Sequence, residues 1–112
     1  MNVEIIGDRE FITSVQERDG VWVLMAGQAL YALLAEGGKA LPVWSSAEKA
    51  EVFAQNLNRG GLSPVFVPLN IFLGGAWLGS SRLQIVDVLA SPRYGQESLT
   101  YAAEELGARL KT

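Results

Sequence analysis

With no histidine and no cysteine among its 112 residues, the chain must look first to its twelve carboxylates for any acid–base chemistry. That absence alone excludes a Ser-His-Asp triad, an HExxH helix, a thiolate nucleophile and a Cys/His zinc site. A carboxylate-only mechanism, in which two carboxyl groups flank the bond to be broken, stays open in principle. Most of the acids fall where a solvated surface would put them: Asp8, Glu10 and Glu17 around a first helix, Glu48 and Glu51 on a second, Glu97, Glu104 and Glu105 on a last one. Asp87 differs, because Ile85, Val86, Val88 and Leu89 surround it in a run that reads as a strand. The solvated face of an edge strand is the expectation for it, and a buried acid with a shifted pKa is the alternative.

Other residues with chemical potential are few. Arg93 and Tyr94, in a loop between the last strand and the last helix, form the best exposed pair for a partner or an anionic ligand, and a turn with a packed tyrosine explains them equally. The doublets Gly37-Gly38, Gly60-Gly61 and Gly74-Gly75 lack the Gly-Lys-Ser/Thr of a P-loop and the three-glycine spacing of a dinucleotide fold, so turns account for them. Trp22, Tyr31, Trp44 and Trp77 could line a binding surface, yet each sits in a run where a core residue is needed. No catalytic residue, metal site or cofactor is expected.

The composition narrows the class further. At 49% apolar and 19% charged residues the chain is a folding sequence, and its length suits one globular domain over residues 1–112. A net charge of −3, with nine basic residues scattered along the chain, argues against a nucleic-acid partner. The start, MNVEIIGDRE, lacks the basic and long apolar regions of a signal peptide, and a cytoplasmic location is the expectation.

The elements that must position these residues follow from periodicity. Phe11, Ile12 and Val15 predict a short helix over Asp8–Arg18, with Asp8 as its N-cap and Asp19-Gly20 as its end. Three apolar runs, VWVLMA, ALYALLA and ALPVW, are separated by Gly27-Gln28 and by Glu36–Lys39, which predicts a three-stranded antiparallel meander. The alternative for the middle run is a helix over Gln28–Glu36, favoured by its Ala and Leu content. Ser45 and Glu48 have the spacing of a capping box, so a helix begins at Ser46 or Ala47 with Ala47, Ala50, Phe53, Ala54 and Leu57 on its apolar stripe. Asn58-Arg59-Gly60-Gly61 ends it, and a short strand follows over Pro64–Val67.

Beyond this point lies a segment, Gly60 to Ser81, with no charged residue after Gly60. Prolines and glycines interrupt it too often for a membrane span, so no insertion is expected. A helix from about Leu69 to Leu78 would carry Ile71, Phe72, Trp77 and Leu78, more apolar surface than one face of so short a helix buries. These four are the candidate interaction surface, with a second copy of the chain or another protein as partner. A strand over Arg82–Leu89 and a helix over Gln96–Leu110 complete the chain. The sum is an α+β fold, a mainly antiparallel sheet of the meander plus one or two strands, with helices largely on one face.

From VWVLMAGQALYALLAEGGKALPVWSSAEKAEVFAQNL through PVFVPLNIFLGGAWLG to the hydrophobic strand after it, the chain resembles the small bacterial family known as domain of unknown function 2750. The resemblance runs from about Phe11 to Leu89, and its most specific element is LPVWSS-x-x-x-A-x-x-F at Leu41–Phe53. It departs from the family pattern at Leu69-Asn70-Ile71 and Gly74-Gly75, where acidic and long polar residues are expected. A similar strand-LPVF-helix join occurs in the SseB-like secretion-associated family, which marks the join as a local structural solution. The resemblance implies a short protein with no catalytic residue to carry over. The functional reading is therefore a non-enzymatic protein–protein interaction module or oligomeric adaptor, and the alternative is a small-ligand binder or carboxylate-only enzyme using Asp87 and Arg93.

Overall fold

Apolar residues in this chain form nearly unbroken runs where they build strands and recur at three and four where they build helices, and the two patterns meet in a pair of sheets. The structure, a computed structural model, describes residues 6–57, 60–74, 77–78 and 82–111, with side chains from residue 9 onward. In chain order the elements are α1 (Ile6–Arg18), β1 (Gly20–Ala26), β2 (Ala29–Leu30), β3 (Leu33–Ala35), β4 (Gly38–Val43), α2 (Ala47–Asn56), β5 (Ser63–Pro68), α3 (Leu69–Phe72), β6 (Ile85–Ala90), β7 (Leu99–Ala102) and α4 (Ala103–Leu110). The helix α1 is already formed at Asp8, so Asp8 is not its N-cap. At its far end Asp19 takes the left-handed conformation, at φ 57°, and Gly20 begins the strand.

The meander exists, but it is divided between two sheets. Strands pair in the orders β2-β1-β5 and β3-β4-β6-β7. The middle apolar run breaks at Tyr31-Ala32, so β2 pairs with β1 while β3 pairs with β4. Residues 28–36 are thus extended or in turns, not helical, because backbone pairing on both sides outweighs the helix propensity of Ala and Leu. The two sheets also touch at one antiparallel bridge, where the Trp22 and Trp44 N–H groups each donate to the other's carbonyl at 2.8 and 2.9 Å.

All pairings are antiparallel except β4 with β6, which is parallel. Its register slips between Lys39↔Ile85 and Ala40↔Asp87, leaving Val86 as an extra residue. This bulge lets Ile85 and Val88, three apart, face the same core. Across β1 the faces separate cleanly. Val21 and Val23 enter a main core with Phe11 and Val15 of α1, Phe72 of α3, and Leu106 and Leu110 of α4. Leu24 enters a smaller cluster with Trp44 and with Ala50 and Ala54 of α2, to which Trp22 adds its half-buried ring. Three helices therefore cover one face and α2 alone covers the other.

Three local expectations are corrected. The helix over Gln96–Leu110 is shorter: Leu99–Ala102 forms β7, pairing with β6 so that Tyr101 is buried and Thr100 exposed, and only Ala103–Leu110 is helical. The helix from Leu69 stops at Phe72, with Leu73 as its C-cap, and Gly75 lies outside the described residues. The N-cap of α2 is Ser46 rather than Ser45, its hydroxyl accepting the Lys49 N–H at 3.2 Å. The helix α2 ends at Asn56 with Leu57 as C-cap, and Asn58 and Arg59 lie outside the described residues. Among the described residues no helix is long and apolar enough to cross a membrane.

Candidate functional site

The parallel pair β4 and β6 brings two carboxyl ends together, and in sheets of mixed helix and strand that is where side chains from separate segments converge on open space. Here the convergence is fixed by Trp44 and Ser91. Trp44 is fully buried, and its indole N–H donates to the Pro92 carbonyl at 3.0 Å. Ser91 takes the left-handed conformation, at φ 45°, and its N–H donates to the Val43 carbonyl at 2.6 Å. The Ser91 hydroxyl accepts the Ser45 N–H at 3.2 Å. These three bonds hold the end of β6 against the end of β4, and the left-handed turn at Ser91 then sends the chain outward through Arg93 and Tyr94.

The result is an open groove of about 980 Å³. One wall is α1, whose Glu10, Ser14 and Arg18 lie four residues apart and so form a single polar row. A second lining segment is α2 with its N-cap, which offers Ser46, Lys49, Val52, Phe53 and Asn56 at helical spacing. Ser45, Ser91 and Pro92 also line the groove, together with the loop residues Arg93, Tyr94 and Gln96 to Ser98 and with Leu99 at the start of β7. Glu10 to Arg18 spans about 12 Å of helix axis and Ser46 to Asn56 about 15 Å. That length accommodates roughly four residues of extended chain.

Its charges balance. Glu10, Glu48 and Glu97 line it together with Arg18, Lys49 and Arg93, and among the described residues none of these six forms an ion pair. All three carboxylates are exposed. One end is aromatic: Phe53 packs against Trp44 at 5.2 Å and against Tyr94 at 6.3 Å between ring centroids, and Tyr94 remains 56% exposed. No group of three acidic, histidine or cysteine side chains among the described residues could hold a metal ion.

The residues singled out from the sequence fall in different places. Arg93 and Tyr94 are in the groove, both exposed. Asp87 is not among the groove-lining residues: it lies in β6 between Ala40 of β4 and Ala102 of β7, half-buried in an interior strand, since β7 covers the edge it was expected to occupy. Of Ile71, Phe72, Trp77 and Leu78, Phe72 is fully buried, Trp77 and Leu78 are half-buried against the main core, and Ile71 is 51% exposed. What sequence reasoning missed is the serine set at residues 45, 46 and 91 and the Trp44–Pro92 bond. The sequence signal was the left-turning Ser91-Pro92 after an apolar strand, which invites a turn but does not say what the turn docks against.

Fold and groove together define a small α+β protein with an open cleft at the carboxyl ends of a parallel strand pair. The family described as "Protein of unknown function (DUF2750)" matches residues 9–110, and the chain belongs to that family. The match bears out the resemblance and extends it through α4. No curated protein matches the chain.

Proposed function

We propose that the protein is a non-enzymatic binding module that takes a short extended segment of another polypeptide in the groove between α1 and α2. The observation that carries this reading is the groove itself: open along two helical walls, with six ionic side chains that form no ion pair among the described residues. A charged side chain held at a surface without an internal partner is available for an external one, and the balance of signs suits a polypeptide better than a polyanion. Tyr94 and Phe53 offer the aromatic contact that anchors such segments, while Ser46 and Asn56 supply polar groups along the wall.

The small-ligand and carboxylate-enzyme reading has less support, because Arg93 lines the groove and Asp87 does not. The candidate surface of Ile71, Phe72, Trp77 and Leu78 has less support, since Phe72 is occupied in the core and Trp77 and Leu78 are half-buried against it, which leaves Ile71 as its exposed member. Selection of a displayed random hexapeptide library on the wild-type chain, with counter-selection on an Arg93→Ala/Tyr94→Ala variant, tests the proposal. Enrichment of a consensus that the variant does not bind supports it. Absence of any enrichment, or a consensus that binds both proteins equally, overturns it.

A further inference from the structure

Each sheet ends in two edge strands, β2 and β5 in one and β3 and β7 in the other, and the open edges of β5 and β3 are treated differently. In β5 the pair Trp22↔Phe66 is not hydrogen-bonded, since Trp22 spends both its backbone groups on Trp44. The backbone groups of Phe66, and by alternation those of Pro64 and Pro68, therefore point to the free edge. Two of those three positions have no N–H to offer, which is how natural sheets blunt an edge.

The β3 edge carries no such device. Lys39 donates its N–H to Gln84 at 2.8 Å, away from β3, so its pair with Leu34 is not hydrogen-bonded either, and the N–H and carbonyl of Leu34 point outward. Leu34 is 95% exposed, and no proline or charged residue stands between Tyr31 and Ala35. An apolar strand edge that offers both a donor and an acceptor is a template for another strand.

We infer that β3 pairs with β3 of a second copy of this chain, antiparallel about a two-fold axis at Leu34. In that register the Leu34 N–H and carbonyl of each copy bond the same two groups of the other, and the two exposed leucine side chains meet. Leu33 falls opposite Ala35, and Glu36, the nearest charged residue, falls opposite Ala32, so no like charges oppose. An apolar residue meets an apolar residue and the sheet β3-β4-β6-β7 continues across the axis into its copy. This inference does not depend on the groove, which lies at the other end of β4.

Sedimentation equilibrium of the full chain from micromolar to millimolar concentration, with amide hydrogen exchange at both limits, tests it. The expected result is a monomer–dimer equilibrium in which the Leu34 amide exchanges more slowly at high concentration. Leu34→Pro removes an N–H that the monomer does not use and should weaken association by about tenfold or more. Leu34→Lys is the second variant, expected to weaken it likewise with an unchanged melting temperature. A monomer throughout overturns the inference, as does a dimer that both variants leave intact or that is lost instead on Ile71→Ser.

Discussion

The same two strands, β4 and β6, end in opposite ways. At their amino ends the backbones press together: a Cβ on Gly38 would collide with the Gln84 carbonyl and touch Val86 at 3.0 Å, Lys39 donates its N–H to that carbonyl, and the Lys39 ammonium reaches the Leu83 carbonyl at 3.2 Å. At their carboxyl ends Ser91 makes one short bond to Val43, and then the chains part, β4 into the first turn of α2 and β6 into the loop at Arg93. A left-handed residue brackets β6 on each side, Gln84 at φ 57° and Ser91 at φ 45°. One closes the strand pair against its neighbour, and the other turns the chain away to open a groove. Packing is satisfied at the amino end, and spare polar groups are left at the carboxyl end.

Substitutions can break this contrast in order of size. Trp44→Ala should have the largest effect, lowering stability by about 3–5 kcal/mol through loss of a fully buried indole and of its bond to Pro92. Urea denaturation measures it, and the groove should lose its shape along with the stability. Gly38→Ala comes next, at about 1–3 kcal/mol, because the added methyl must displace backbone rather than a side-chain tip. A neutral result there would mean that the amino end is not closed by contact. Ser46→Ala should lower stability by about 1 kcal/mol through loss of the α2 N-cap, seen as a lower denaturation midpoint with an unchanged slope. Smallest of all, Arg93→Ala with Tyr94→Ala should change stability by no more than about 0.5 kcal/mol, since both side chains are exposed, while removing any binding in the groove.

How much of this could be read from the residues divides along the same line. The α2 stripe was legible, because Ala50, Ala54, Phe53 and Leu57 recur at helical spacing and the serines before them announce a cap. The hairpin turns were legible too, Gly27 and Gly37 taking φ 62° and 84°. The break at Tyr31-Ala32 was not, since nothing in an unbroken apolar run says that its halves join different sheets. Leu99–Ala102 read as helix because its own residues tolerate either state, and pairing with β6 decides between them. The groove was the least legible feature. It depends on a parallel pairing and on a Ser45–Ser91 bond between residues 46 positions apart, and neither leaves a local pattern. Arg93 and Tyr94 could be picked out as exposed, but not Ser14 or Arg18 as their neighbours across an opening.

The groove as a binding surface is tested most directly by following amide chemical shifts of the isotopically labelled chain as a library-selected peptide is added. Saturable shifts are expected at Ser14, Arg18, Lys49, Asn56 and the loop from Ser91 to Ser98, with β3 and Ile71 unmoved. Shifts confined to β3 or to the segment around Ile71, with the groove silent at saturation, would contradict it.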